Sequence, residues 1–212
     1  MQTTKDILMI DPGNAFGVHR RNNPFFIENF TTIEQYQLAN ENLDSYTCMV
    51  IHGFVDQEFL ATQKEKIRAF LNQKKIVIFS GHLFRDWLPG TSPFIPRVIH
   101  SHLDYVVTIA QPHPIFAGVD SDSMTYNKGV SGFFARGHHP IPDGAEVLLT
   151  LPGGEPITYI DRNSTEGTIL VHSGNDLFGY MQNSKSTDRI SGQLLQWVHD
   201  ENAKLQKGRA VK

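Results

Sequence analysis

The chain has 212 residues, of which 19 are basic and 22 acidic, so its formal net charge is −3 with histidine neutral. A hydrophobic fraction of 40% at this length supplies the core of one compact domain and excludes a disordered chain. The near-neutral charge argues against a nucleic-acid-binding protein, and no apolar run reaches the roughly 20 residues of a membrane span. Residues 1–13 are too short and too acidic for a signal peptide, so we expect a cytoplasmic protein.

Short apolar runs that end in turn residues predict strands buried on both faces of a sheet. Two such runs are Ile7–Ile10, which precedes Asp11, and Tyr46–Ile51, which precedes His52. Between them, the aromatic stretch Phe25–Phe30 has a weaker β-like pattern, which predicts a strand or a loop.

A helix is predicted from Gln57 to Asn72, because Asp56 is a good N-cap residue and apolar residues recur at helical spacing. The apolar stripe consists of Phe59, Leu60, Ile67, Phe70 and Leu71. The next strand, Lys75–Ser80, completes a strand–helix–strand unit of the size expected for a right-handed βαβ crossover.

The middle of the chain is less regular. Leu103–Ile109 is predicted as a strand, and His113–Phe116 as a short turn or helix. Residues 119–144 are rich in Gly, Ser, Asp, His and Pro, which predicts loops with one short strand around Gly132–Phe134.

The last third gives clearer patterns. Ala145–Leu151 and Pro156–Asp161 flank a glycine-containing turn and predict a β-hairpin, and Thr168–Val171 is one more buried strand. A helix is predicted from Thr187 to Leu205, followed by a basic C-terminal tail, 206–212, that we interpret as a solvated terminus.

Buried strands that alternate with amphipathic helices are typical of a three-layer α/β sandwich. We therefore predict a single flavodoxin-like domain over residues 1–205, with a mainly parallel sheet and an antiparallel hairpin near one edge. Neither a GxGxxG motif nor a P-loop is present, so no nucleotide cofactor is expected.

Polar residues follow several of the predicted buried strands. Ligands of open α/β sheets bind outside the carboxyl ends of the strands, so these residues are the first candidates for a site if the strands are neighbours. The candidate catalytic residues are His52, His82, His172 and Asp176, and the candidate ligand-binding residues are Asp11, Ser80, Ser173 and Asn175. A histidine suits a general base because its pKa lies near neutral pH. The alternative for each histidine is a structural role, in which the ring satisfies a loop carbonyl.

A nucleophile is harder to find. Cys48 is the only cysteine and lies inside a predicted strand, where it behaves as a small hydrophobic residue. Ser80 lies at a strand-to-loop turn, but Ile78 stands where the G-x-S-x-G elbow of hydrolases has a glycine. Serine hydrolase chemistry is therefore only weakly indicated.

Metal binding is also weakly indicated. The histidine pairs His100 with His102 and His138 with His139 have no third ligand at a recognisable spacing, and no HExxH motif is present. We predict no metal site.

Four segments resemble the class I glutamine amidotransferase-like superfamily and, within it, the trehalose-utilisation (ThuA-like) branch. They are Tyr46–Gly53, Asn72–His82, His113–Val119 and Gly167–Gly174, of which His113–Val119 (HPIFAGV) is the most specific. The resemblance spans residues 6 to about 180 and implies a flavodoxin-like fold. True amidotransferases of the superfamily carry a cysteine at the elbow, which aligns with Phe79–His82, where this chain has none. Glutaminase activity is therefore not expected.

The resemblance and the strand-end residues together predict a domain that binds or processes a small polar, sugar-like ligand, as a histidine-based hydrolase or isomerase without a cofactor. The alternative is a non-catalytic scaffold or assembly subunit built on an enzyme-derived fold. In that case Phe84, Trp87 and Phe94 would form a partner surface, unless they pack on the core as an ordinary loop. The oligomeric state, including a homo-oligomer, stays open.

Overall fold

The computed structural model describes residues 5–127 and 130–207, and an eight-stranded sheet forms its centre. In chain order the strands are β1 (Ile7–Asp11), β2 (Thr31–Glu34), β3 (Cys48–His52), β4 (Ile76–Ser80), β5 (Thr108–Ile109), β6 (Glu146–Leu151), β7 (Glu155–Asp161) and β8 (Thr168–His172). Their order across the sheet is β2-β1-β3-β4-β8-β7-β6-β5. The pairings from β2 to β8 are parallel, and those from β8 to β5 are antiparallel. The predicted α/β fold, mainly parallel with an antiparallel hairpin, is confirmed.

Helices cover this sheet. The α-helices of the described residues are α1 (Val18–Asn22), α2 (Pro24–Asn29), α3 (Gln57–Thr62), α4 (Lys64–Leu71), α5 (Ser121–Thr125) and α6 (Ile190–Lys207). Short 3-10 helices occupy Ala15–Gly17, Gln35–Ala39, His102–Tyr105, Pro114–Phe116, Leu177–Gly179 and Ser186–Arg189. Two small antiparallel ribbons pair Ile95–Pro96 with Gly137–His138 and Tyr126–Asn127 with Val130–Ser131. No helix in the described ranges is both long and apolar enough to cross a lipid bilayer.

The sheet has an apolar core on each face, which makes the domain a three-layer sandwich. Successive side chains of a strand point to opposite faces, so Ile7 and Met9 of β1 join one core and Leu8 and Ile10 join the other. Helix α6 packs on the first face, and α3 and α4 pack on the second. Burial on both faces explains why the central strands are continuous apolar runs.

The prediction for Phe25–Phe30 was wrong, because this stretch forms helix α2. Asn23 caps the helix by accepting a hydrogen bond from the Phe25 amide at 2.9 Å, and Pro24 takes the first helical position. The sequence Asn-Pro was the available signal. The strand that follows, β2, was missed because an edge strand is half-exposed and lacks a continuous apolar run.

Other boundaries also differ. The helix predicted over Gln57–Asn72 is divided at Gln63 into α3 and α4. Of the strand predicted over Leu103–Ile109, only β5 pairs with the sheet, because Ser101 and Asp104 form a capping box that starts a 3-10 turn. The last helix begins at Ile190 and continues to Lys207, so the first two residues of the predicted tail are helical. The rest of that tail, 208–212, lies outside the described residues.

Cys48 provides a test of the sheet interior. It lies on β3 between β1 and β4, fully buried, and burial raises the pKa of its thiol well above the ordinary value. We expect the native protein to resist iodoacetamide and to release no ammonia from glutamine, whereas the urea-unfolded chain should be labelled at once. Cys48→Ala should cost about 1–2 kcal/mol of stability, as a small core truncation does. Rapid labelling of the native protein with loss of ligand binding would contradict this prediction.

Candidate functional site

A cavity of about 830 Å³ opens at the carboxyl ends of β3, β4 and β8. These strands are neighbours in one parallel register, in which His52 pairs with Ser80 and Ser80 with His172. The loops that follow the strands form the walls, joined by Arg20 of α1 and by the segment 132–136. The cavity therefore lies where open α/β sheets bind their ligands.

The cavity brings together part of the candidate set. His52, Ser80, His82, Asn175 and Asp176 contribute to its lining. Asp11, His172 and Ser173 lie outside this lining. The sequence did not indicate four other lining residues, which are Arg20, Arg136, Phe54 and Phe133.

Arg20 links two of the candidate residues. Its Nη2 lies 2.8 Å and its Nε 2.9 Å from Oδ2 of Asp176, and its Nη1 lies 3.0 Å from Nε2 of His52. Because a guanidinium only donates, Nε2 of His52 accepts, and the neutral ring carries its proton on Nδ1. Burial and the charge of Arg20 lower the pKa of His52 to about 4. The basic nitrogen of His52 is thus already occupied.

Asp176 is held from two sides. Its Oδ2 accepts from Arg20, and its Oδ1 accepts from the Phe178 amide at 3.1 Å, which caps the 3-10 turn Leu177–Gly179. Only 4% of its side chain is exposed. The carboxylate therefore fixes the loop after β8 and the position of Arg20 at the same time.

His82 has a different environment. Its ring stacks on Phe94 with centroids 3.7 Å apart and an interplanar angle of 11°, and the edge of Phe84 lies nearby. Burial and the charge of Arg136 lower its pKa from the ordinary value. Within the described ranges its ring nitrogens have no hydrogen-bond partner, so His82 can exchange a proton or a hydrogen bond with a ligand.

His172 and Ser173 lie beneath the cavity floor. His172 is fully buried, and its Nδ1 lies 2.8 Å from Oγ1 of Thr158. The Leu83 amide donates to Nε2 of His139, whose protonated Nδ1 lies 2.8 Å from Oγ of Ser173. Burial is the main cause that lowers the pKa of His172 and of His139 to about 3. This geometry fits the structural alternative for His172.

Asp11 belongs to a neighbouring, smaller cavity of about 480 Å³ beside β1 and β2. Its carboxylate pairs with Arg21 at 2.5 Å and accepts from the Gly13 amide at 2.8 Å. A Cβ at Gly17 would overlap this carboxylate, so a side chain there would push Asp11 out of its present position. Asp11 and Asp176 thus hold consecutive arginines of α1, and Arg20 lines both cavities.

Ser80 and Asn175 make smaller contributions. Ser80 is almost fully buried, and its Oγ is 3.5 Å from the Leu177 amide. Asn175 donates from Nδ2 to the Phe133 carbonyl at 2.9 Å. Neither arrangement presents an activated nucleophile, since no general base lies within hydrogen-bond distance of the Ser80 hydroxyl in the described residues.

Aromatic side chains form part of the cavity wall. Phe54, Phe84 and Phe133 line it although they are 54%, 59% and 40% exposed. The sequence grouped Phe84 with Trp87 and Phe94, but Trp87 is buried against Phe79 and Phe94 is covered by His82. Of that group only Phe84 remains exposed, and it faces the cavity rather than forming a separate partner surface.

In the described ranges, no three His, Cys, Asp or Glu side chains lie close enough together to hold a metal ion. His139 is engaged with Ser173, and Nδ1 of His138 lies 3.8 Å from the carboxylate of Glu155.

No protein-family model matches the sequence, and no curated protein matches it either. Among solved structures, the chain is similar to a β-galactosidase from the psychrophilic Marinomonas ef1, with 11% identity, a TM-score of 0.47, and coverage of 94% of this chain and 29% of that one. An exo-β-1,4-mannosidase from an Opitutaceae bacterium is 12% identical with a TM-score of 0.45, and the match covers 96% of this chain and 35% of that one. A β-galactosidase from a Rahnella species is 14% identical with a TM-score of 0.43, and the match covers 93% of this chain and 32% of that one. The chain spans about a third of the length of these proteins, and at such TM-scores the likeness carries no functional argument.

The pair of Arg20 and Asp176 yields a stability prediction. Asp176→Asn keeps the oxygen that caps the 3-10 turn but leaves the largely buried Arg20 charge without its partner, which should cost about 3 kcal/mol. Urea unfolding measures this cost, and the double variant Arg20→Gln/Asp176→Asn should lose less than the sum of the single variants. An Asp176→Asn protein as stable as the wild type would show that the pair is not needed for the fold.

The buried histidines yield a pH prediction. The unfolded chain binds protons on His52, His139 and His172 below about pH 6.5, whereas the folded protein does not until about pH 4 or lower. The free energy of unfolding should therefore fall as the pH falls from 6.5 to 4, by up to about 1.4 kcal/mol per pH unit for each histidine.

His139→Gln keeps an acceptor for the Leu83 amide and should reduce that slope by about one histidine's share. His199→Gln is the matched control, because His199 is exposed on α6. Urea unfolding at several pH values gives the slopes, and an unchanged slope in His139→Gln would contradict the assignment.

Proposed function

We propose that the protein is a cytoplasmic, glutamine amidotransferase-like (ThuA-like) domain that binds or processes a small polar, sugar-like ligand in the cavity at the carboxyl ends of β3, β4 and β8. One observation carries the proposal: exposed aromatic faces and polar side chains line the same cavity. Its volume of about 830 Å³ falls within the roughly 300–1,000 Å³ typical of small-molecule sites.

The composition of the wall favours a hydroxylated ring as ligand. The apolar C–H face of a sugar packs on an aromatic ring, while its hydroxyls need hydrogen-bond partners at the edge. Phe54, Phe84 and Phe133 supply the first element, and His82 and Asn183 of the cavity lining supply polar groups for the second. A purely apolar ligand would leave those polar groups without partners.

For a reaction, His82 is the side chain that fits a general base or acid best. It lines the cavity, and its ring nitrogens have no partner in the described protein, whereas Nε2 of His52 is bound by Arg20. Cys48 lies in the middle of the sheet and Ser80 is buried, which disfavours covalent catalysis by either residue. Hydrolysis or isomerisation with His82 as the proton-transfer group is the activity that we propose to test.

The alternative, a non-catalytic scaffold, would use the exposed apolar residues near Phe84 as its partner surface. Ile95 and Val98 are also exposed in the following segment. Size-exclusion chromatography with light scattering separates the two proposals, because a monomer without a bound partner counts against the scaffold and leaves the ligand site.

The test of the ligand site is thermal melting with a panel of mono- and disaccharides. A sugar that binds the wild type is recognised by a rise in the melting temperature. Phe133→Ala removes one aromatic face and should weaken the affinity for that sugar about tenfold, which corresponds to about 1.4 kcal/mol. His82→Ala should reduce any turnover by at least 100-fold if His82 transfers the proton.

Leu103→Ala is the control, because Leu103 is an exposed apolar residue outside the cavity lining. A panel without any ligand-induced shift in the wild type would overturn the proposal. Equal binding by wild type and Phe133→Ala would overturn the assignment of the aromatic rim.

A further inference from the structure

The charges of the cavity wall do not cancel. Its charged lining side chains within the described residues are Arg20, Arg136 and Asp176, and the lowered pKa values of His52 and His82 keep both rings neutral at pH 7. Arg20 and Asp176 form a close ion pair. One positive charge therefore remains, and it belongs to Arg136.

Arg136 is held in place without a carboxylate. Its Nε donates to the Gly132 carbonyl at 3.0 Å, and its own carbonyl accepts from the Arg97 amide at 3.0 Å. Gly132 has a positive φ of 83°, and a Cβ there would press on the ring of Tyr105, so this turn requires glycine. In the described ranges, neither terminal nitrogen of Arg136 has a hydrogen-bond or ion-pair partner.

The position of Arg136 ties this charge to the proposed ligand site. Arg136 follows Phe133 by three residues, and both residues line the cavity together with His82. The charge of Arg136 is felt at His82, whose pKa it lowers in addition to the effect of burial. An arginine with a fixed Nε and two uncommitted terminal nitrogens suits bidentate binding of an oxyanion.

Building on the proposed function, we infer that the ligand carries an anionic group, a carboxylate or a phosphate, that binds the terminal nitrogens of Arg136 while the body of the ligand packs on Phe133. Sugar acids and sugar phosphates share this chemistry. Arg136 is then the residue that distinguishes charged from neutral sugars.

The test compares matched neutral and anionic probes by isothermal titration calorimetry. The probes are glucose, galactose and mannose, their uronic acids, their 6-phosphates, and acetate and inorganic phosphate alone. At least one anionic sugar should bind the wild type tenfold or more tightly than its neutral parent, and added salt should weaken this preference.

Arg136→Gln should abolish the preference for the anionic sugar. Arg136→Lys should retain part of it, because lysine keeps the positive charge but lacks the planar guanidinium that binds an oxyanion through two nitrogens. Both variants should fold, since the side chain is exposed. Arg68→Gln is the matched control, because Arg68 is an exposed arginine of α4 outside the cavity lining.

The outcomes separate this inference from the proposed function. Neutral and anionic sugars that bind equally well, with no effect of Arg136→Gln, would overturn the inference and leave the sugar site intact. Binding of uronic acids but not phosphates, or the reverse, supports it and identifies the anion. Inorganic phosphate or acetate that binds as tightly as the sugars would overturn the sugar-anion ligand, and no binding by any sugar would overturn the proposed function as well.

Discussion

The common register of β3, β4 and β8 is the constraint on which the cavity depends. Because the three strands run parallel and end at one level, their following loops leave the sheet side by side. Glycine permits this crowding: a Cβ on Gly81 would overlap Gly53, and a Cβ on Gly174 would overlap the Phe134 carbonyl. Gly81 also has a φ of 148°, which a side chain would disfavour. The three glycines therefore pack closely as part of the cavity floor, and the cavity opens above them.

The same sequence pattern gives two different environments at this edge. His52 and His172 each end an apolar strand and pair with Ser80, yet His52 lines the cavity and His172 is fully covered. The difference comes from the segment around Phe134, which crosses over the end of β8 and packs edge-on against the His172 ring. Position at a strand end therefore selects candidates, and the covering loops decide which of them meet a ligand.

The fold was more predictable than the site, for a physical reason. Burial on both faces of a strand imposes a local apolar run, so strands such as Ile7–Ile10 are legible in the sequence. The contacts of the cavity are not local: Arg20 and Asp176 are 156 residues apart, and nothing near either position indicates the pair. Arg136 likewise lies in a glycine-rich loop whose path depends on tertiary contacts, such as the packing of Gly132 on Tyr105. His82 and Asp176 were accessible to sequence reasoning because they lie in the short loops that follow β4, which ends at Ser80, and β8, which ends at His172.

The two cavity arginines differ in what they can offer a ligand. Arg20 already binds Asp176 through Nε and Nη2 and His52 through Nη1. An anion that took the protons facing Asp176 would displace this carboxylate and leave it buried and unpaired, at a cost of about 3–5 kcal/mol. A charge-assisted hydrogen bond returns only about 1.5–3 kcal/mol, so the exchange is unfavourable. Arg20 is thus retained for structure, since it holds α1, Asp176 and the neutral form of His52 in one arrangement. Arg136 breaks no ion pair when it binds an anion, because no carboxylate of the described residues pairs with it. The largely buried Arg20 therefore fixes the shape of the site, and the exposed Arg136 provides its selectivity for an anionic ligand.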